Sequence, residues 1–489
     1  MSAGRGGTRP EDGRAEPRSA LSAAARAVEQ RSIDWVPYEE RHGRVSGLGS
    51  MWFASNVNLT AMATGVTALS VGAPLAWTLV ASVLGALFGT FFMAVHSAQG
   101  PRLGLPQLVQ SRPQFGYLGA SLTVWVFALV NYLAYNTSDA ILAGSAAHAV
   151  FGVPTTAGYL ASAAVASVVA FFGHDWIHRV NRWLTWPLVA LLVALSGAAL
   201  TNEAVPPLSL AGFDPAPVMT VFVISSGFQL GWAPYVSDYS RYLAPDVPAR
   251  SAFWWTYLPS ALSAVWVFLL GAAMSAAAPG AEPVTAFVAA ADTLFTGFGR
   301  ITVAALLLGL LSVMSVNQYG GALTMIAIRD SFRPVRPTRR VRAVAVGTMF
   351  AIVWLVSHPV GAERFTAFYG NALIFLAYLF TPWTAVNLVD YFLVRRGCYV
   401  ISAIFDPDGV YGRWGWRGNT AYLLGLAAMV PFMVTAPYTG PVAALLGGVD
   451  CSVLVGLPVS ALAYWFLTRS LDLAAERRLA LAEGIPRPR

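Results

Sequence analysis

Residues 51–65 read MWFASNVNLTAMATG and begin an apolar run that continues to about Leu69. A segment with the look of a membrane span carries Ser55, Asn56, Asn58, Thr60, Thr64 and Gly65 in its middle. In lipid an unpaired amide is costly, so both asparagines must face protein, water or a ligand. Two residues apart, they cannot share one face of an unbroken helix. The helix is therefore expected to unwind over Ser55, Asn56, Val57 and Asn58. Residues 221–238, VFVISSGFQLGWAPYVSD, repeat the anomaly: an apolar lead gives way to Ser225, Ser226, Gly227 and Gln229, then to Gly231, Trp232 and the helix-breaking Pro234. Either break alone is equally at home where helices pack through small and polar residues. As a pair at corresponding positions they point to an inverted-repeat transporter, whose half-helix ends and freed backbone groups bind solute and ion near the bilayer midplane.

Composition makes the bilayer the solvent. Of 489 residues 56% are hydrophobic and 11% charged, with a mean hydropathy of +0.58, too little charge to clothe a water-soluble core of this size. Stretches long enough to cross about 30 Å of hydrocarbon recur at 51–71, 75–98, 117–146, 155–173, 183–201, 217–238, 254–277, 298–328, 342–358, 364–394, 419–436 and 449–468. All basic residues are arginine, and only Arg300 and Arg364 fall in loops that alternate crossing puts on the far side from the N-terminus. The positive-inside rule then puts both termini in the cytoplasm of a multi-pass protein of the plasma (inner cell) membrane. The net charge of +7 reports topology and not nucleic-acid binding. Residues 1–45, rich in Arg, Glu, Gly and Pro and lacking the apolar core of a cleaved signal, are expected to be a disordered cytoplasmic tail. Residues 46–468 form the transporter unit, with repeat one at about 51–201, repeat two at about 217–394 and two extra helices at about 419–468; a second cytoplasmic tail covers 469–489. Cys398 and Cys451 have neither CxxC nor metal spacing and are placed on opposite sides of the membrane, which excludes a disulfide.

Two further polar clusters lie within apolar segments. In NYLAYNTSDAIL, residues 131–142, Tyr132, Asn136 and Asp139 follow at spacings of four and three and share a helix face, while Asn131 and Tyr135 form a second, overlapping stripe. In SVMSVNQYGGALT, residues 312–324, Ser312, Ser315, Asn317 and Gln318 join two glycines. Amides both donate and accept, and so match the alternating edge of a planar heterocycle, while aromatic rings hold its faces. With no basic side chain in these segments, the substrate expected is a small neutral ring and not an anion. Taken singly, Asn136 and Asn317 are as well explained by interhelical hydrogen bonds.

Several motifs in order carry a resemblance over about Ser32 to Leu467: RSIDWVPYEERHG, WFASNVNLTAMATG, GPRLGLPQLVQSRPQFGYLGA, GWAPYVSDYSRYL and GVYGRWGWRGNTAYLLG. The chain resembles the purine and cytosine permease family of the nucleobase cation symporter class. The resemblance implies an all-α, LeuT-like fold of twelve transmembrane helices, two inverted five-helix repeats plus two C-terminal helices, with helices 1 and 6 broken. It implies uptake of a nucleobase such as cytosine or a purine, driven by H+ or Na+, with no other cofactor. The family's stacking aromatic and its amide in helix 3 fall on Tyr132 and Asn136, its helix-6 aromatic on Trp232 and its helix-8 amide on Asn317; Gln229 and Asn58, in the broken segments, complete the expected substrate set. Tyr132 stands where members usually carry Trp, and Asp139 is outside the family's pattern. The cation is expected near Ser55, Asn56 and Ser312. Sodium-coupled relatives place two adjacent hydroxyls in helix 8, and here those positions are Leu311 and Ser312, which favours protons over sodium.

Other polar groups have plainer readings. Asp238 and Arg241 are expected to form an ion pair at the cytoplasmic end of helix 6, with a gate as the second reading. His174, Asp175, His178 and Arg179 have metal-like spacing but fall in a charged surface turn, so no metal is expected. His96 and His358 are read as interfacial. An enzyme would need a repeated acidic metal motif, a nucleophile with its base or clustered histidines within the membrane, and the sequence supplies none. The alternative to a nucleobase symporter is a symporter of the same fold for another small solute, such as a hydantoin, allantoin, a vitamin precursor or an amine.

Overall fold

The computed structural model describes residues 34–483 apart from 42, 173 and 337, and of residues 172–185 the backbone alone. Helices occur at all twelve expected segments. Repeat one contains α1a (Ser46–Ser55) and α1b (Leu59–Ser70), α2 (Leu75–Ser97), α3 (Val126–Phe151, entered through short turns from Tyr117), α4 (Thr155–Phe172) and α5 (His174–Thr201). Repeat two contains α6a (Pro215–Leu230) and α6b (Val236–Ser240), α7 (Ala249–Ala277), α8 (Phe298–Phe332), α9 (Arg339–Val360) and α10 (Phe365–Val389). The extra pair is α11 (Trp416–Met429) and α12 (Ser452–Leu467).

The inverted repeat is visible in which helices touch. Under exchange of the repeats, α1 maps on α6 and α2 on α7; accordingly α1b packs on α7, and α6a packs on α2. Both contacts are backbone to backbone. A Cβ on Gly65 would stand 2.0 Å from the Phe268 carbonyl oxygen and one on Gly271 2.0 Å from that of Met62, while Gly85 and Gly89 approach the carbonyls of Phe222 and Ser226 in the same way. Membrane helices lack a hydrophobic drive to associate, and such small-residue contacts supply dispersion and polar contact instead. The outer face carries exposed apolar side chains such as Leu84, Val168, Leu262, Leu308 and Leu355, as a lipid-facing surface requires.

Several local features differ from the sequence expectation. Helix α5 begins at His174, so the surface turn expected there is helical; the side chains of His174, Asp175, His178 and Arg179 lie outside the described residues. A helix at Pro283–Ala291 precedes α8, and the segment expected at 419–436 ends in a small hairpin, Val434–Thr435 with Tyr438–Thr439. His96 is not interfacial: it is fully buried and stacked on Trp383 with ring centroids 4.6 Å apart. Neither tail boundary marks where packing stops. Residues 1–33 lie outside the described residues, but Val36 is buried with its N–H on the Gly104 carbonyl at 2.9 Å, and the Arg41 guanidinium lies over Tyr38 and donates to the Val36 and Pro101 carbonyls. Burial lowers the Arg41 pKa from its ordinary value. At the other end, the helix Leu473–Ala482 docks through Glu476, which accepts from Arg395 at 2.7 Å.

Candidate functional site at the helix breaks

The break in α1 lies at Asn56–Asn58 and is stitched by its own side chains. Asn58 is extended (φ −151°, ψ 168°) and caps α1b: its Oδ1 accepts from the Ala61 N–H at 2.8 Å and its Nδ2 donates to the Ser55 carbonyl at 2.7 Å. One side chain thus satisfies a donor and an acceptor freed by the interruption. Asn56 turns the other way, onto α7, donating to the Ser260 carbonyl at 3.0 Å and the Ser263 hydroxyl at 3.1 Å.

The break in α6 is later than the polar run suggests. Ser225, Ser226 and Gln229 lie inside regular helix, and the chain leaves it at Gly231, passing through a tight turn at Ala233–Tyr235. Its freed carbonyls are met by another helix. On α3, Asn131 donates to the Gly231 carbonyl at 3.1 Å and Tyr135 to the Phe228 carbonyl at 3.2 Å, while the Tyr235 hydroxyl reaches back to the Ala128 carbonyl at 2.8 Å.

A pocket opens where the two breaks meet α3 and α8. α1 contributes Asn58 and Thr60; α3 contributes Asn131, Tyr135 and Asp139; the α6 break contributes Phe228, Trp232 and Tyr235; α8 contributes Val313 and Asn317. The space between them is about 20 Å³, enough for one water, so any larger solute enters only when these side chains part. Trp232 Nε1 and Asn131 Oδ1 are buried without a protein partner, one spare donor and one spare acceptor. Among the described residues no arginine or histidine lines the pocket. Asp139 is fully buried; its Oδ1 accepts from the Thr60 hydroxyl at 2.5 Å and its Oδ2 from Asn317 Nδ2 at 3.5 Å.

The expected substrate set is divided by this geometry. Asn58, Trp232 and Asn317 line the pocket. Tyr132 sits on the adjoining stripe of α3, its ring against Gly320 of α8 and tilted over Tyr235 at 4.6 Å, and Asn136 is buried beside it with no partner for Nδ2. Gln229 faces α7, donating to the Ser260 carbonyl at 3.3 Å. The second stripe, Asn131 and Tyr135 with its spacing of four, is the one that faces the pocket, and of the first stripe only Asp139 joins it there. Of the cation set, the Ser55 hydroxyl donates to the Met51 carbonyl of its own helix, Asn56 is held by α7, and the buried Ser312 hydroxyl bonds to neither. At the end of α6b, the Asp238 carboxylate accepts from the Gln107 N–H at 2.8 Å, and Arg241 donates to the Asp238 and Asp34 carbonyls.

Known proteins share both the sequence and the architecture. The purine-cytosine permease fcyB of Emericella nidulans is 27% identical, over 90% of this chain and 88% of its own length. A putative purine-cytosine permease of Bacillus subtilis, YxlA, is 34% identical over 90% of this chain and 96% of its own. The inward-facing structure of Mhp1, 19% identical, superposes with a TM-score of 0.73 over 95% of this chain and 99% of that one, a likeness of fold. Residues 35–456 match the sequence pattern of permeases for cytosine/purines, uracil, thiamine and allantoin. The fold, the pocket at two helix breaks and these matches agree: the chain is a transporter and not an enzyme, and it belongs to the cytosine/purine permease family.

Proposed function

We propose that this permease takes up a nucleobase, cytosine or a purine, by proton-coupled alternating access across the plasma membrane, with both termini in the cytoplasm. The observation that carries the reading is the pocket itself. It offers aromatic faces from Tyr135 and Trp232, a spare donor and a spare acceptor, and amides from Asn58 and Asn317, which together suit a flat ring with a mixed hydrogen-bonding edge. The absence of a lining cation among the described residues argues against an anionic solute. Protons are preferred to sodium because Leu311 replaces one of the two hydroxyls sodium-coupled relatives carry and Ser312 has no bond to the α1 break.

The arginine distribution supports the orientation. Uptake of radiolabelled cytosine, adenine, guanine, hypoxanthine and uracil into proteoliposomes, with proton and sodium gradients imposed separately, tests the proposal. Accumulation of at least one base under a proton gradient alone is expected; accumulation of none refutes the substrate class. The family's range, which includes thiamine and allantoin, favours a second reading, in which the same fold carries another small solute such as allantoin, a hydantoin, a vitamin precursor or an amine. Uptake of allantoin with exclusion of every base would establish it.

A further inference from the structure

Asp139 is a carboxyl group near the middle of a membrane helix, with none of its surface exposed and only neutral groups beside it. Its two oxygens are not idle. One accepts from Thr60, in the first turn of α1b just past the Asn58 cap, and the other from Asn317 of α8, so a single side chain on α3 ties the broken helix to α8 across the pocket. Among the described residues the titratable groups around it are two phenols. Tyr135 stands one turn earlier on α3; Tyr369 of α10 bonds the Thr64 hydroxyl at 3.1 Å and the Thr60 carbonyl at 3.4 Å. From α1b and α8 only the hydroxyl and the amide already named reach it, and no arginine or histidine of a described residue does.

Among the described residues an ionised carboxylate in such a place has no counter-charge except the partial positive end of α1b, and intramembrane carboxyls without a fixed partner mark ion and proton pathways. Its charge can be balanced by a proton, a metal cation or a cationic solute. The donor set discriminates among these. A sodium ion would need several oxygens converging on one point, whereas here one carboxylate oxygen is taken by a hydroxyl donor and the other by an amide donor.

We infer that Asp139 carries the coupling proton, an inference that rests on the proton-coupled reading above. With the pocket open to the outside, the carboxylate takes a proton from external water. Neutral, it lets α1b and α8 close over the bound base; with the pocket open to the cytoplasm, the proton leaves to internal water and the carboxylate re-forms. One proton enters with each base, and no other species is consumed.

The test uses the full chain in proteoliposomes and whichever of the five bases above the parent accumulates best. A gradient of one pH unit, coupled one to one, sustains about tenfold accumulation, because a tenfold ratio corresponds to about 1.4 kcal/mol. In Asp139→Asn, whatever rate remains, the steady-state ratio should fall to equilibrium and imposing the gradient should make no difference. Base entry should also no longer alkalinise a weakly buffered medium. If Asp139→Asn carries nothing, the decision passes to Thr60→Val, which removes a donor to the ionised form. The carboxyl then holds its proton to higher pH, and the midpoint of the uptake-against-pH curve should move upward. A parent driven by sodium and not by protons would sink the reading on which the inference rests. A proton-driven parent whose Asp139→Asn variant accumulates equally well, or a Thr60→Val midpoint that stays in place, overturns the inference alone.

Discussion

The two helix breaks do the same work by different means. In α1 the interruption is sewn up from within: Asn58 caps the second half and holds the last carbonyl of the first. In α6 the interruption is made by Gly231 and the Pro234 turn, and its loose carbonyls are held by Asn131 and Tyr135 of α3. A self-contained break survives displacement of its neighbours. A break completed by another helix reports where that helix is. The pocket sits between one of each kind, so the α1 wall keeps its own local shape while α3 sets the shape of the α6 wall.

The largest effect is expected at the self-contained break. Asn58→Leu removes a cap, at about 0.5–2 kcal/mol, and strands the Ser55 carbonyl, at about 1–3 kcal/mol. Gradient-driven uptake should be lost while membrane abundance is kept, since leucine eases insertion. Normal uptake at normal abundance would mean that α1 does not depend on its own asparagine. Next comes Trp232→Ala, which removes a ring face and should weaken binding of the transported base by about 1–3 kcal/mol, measured by competition, with partial restoration by Phe.

Tyr135→Phe keeps the ring but leaves the Phe228 carbonyl without its donor, and a loss of about 1 kcal/mol in thermal stability is expected. An unchanged melting temperature would make the α6 break as self-sufficient as the α1 break. The smallest effect is at Tyr132→Phe, on the stripe away from the pocket, where a change within about 0.5 kcal/mol and an unaltered ranking of competing bases are expected. A reordered ranking would return that stripe to the substrate.

How much of this could be read from the chain follows the same division. The α1 break is legible because its cause is local: two amides two residues apart in an apolar run. The α6 break was legible at Gly231 and Pro234, but not that Ser225 and Ser226 before it stay helical, since they are tolerated inside α6a by close packing on Gly85 and Gly89 of α2, a contact between distant segments. The choice between the Tyr132 and Tyr135 stripes depends on the rotation of α3 about its axis, which its own periodicity leaves open and which the α6 carbonyls settle. Asn56 and Gln229 look like site residues for a related reason: an amide that braces α7 has the same chemistry as one that reads a ligand. Asp139 stood out as a lone carboxyl, but its link to Thr60 joins helices 79 residues apart in sequence.

The glycine contacts between α1b and α7, and between α2 and α6a, have a mechanical consequence. Helices separated by a layer of side chains slide by changing rotamers. Where Gly65 meets the Phe268 carbonyl and Gly271 that of Met62, there is no such layer, and a push on one helix is delivered to the other almost undiminished. These pairs behave as welded joints. The slack that any gating motion requires must then lie elsewhere, and the α3 face, where hydroxyls and amides hold carbonyls across gaps of about 3 Å, is the softest seam touching both breaks.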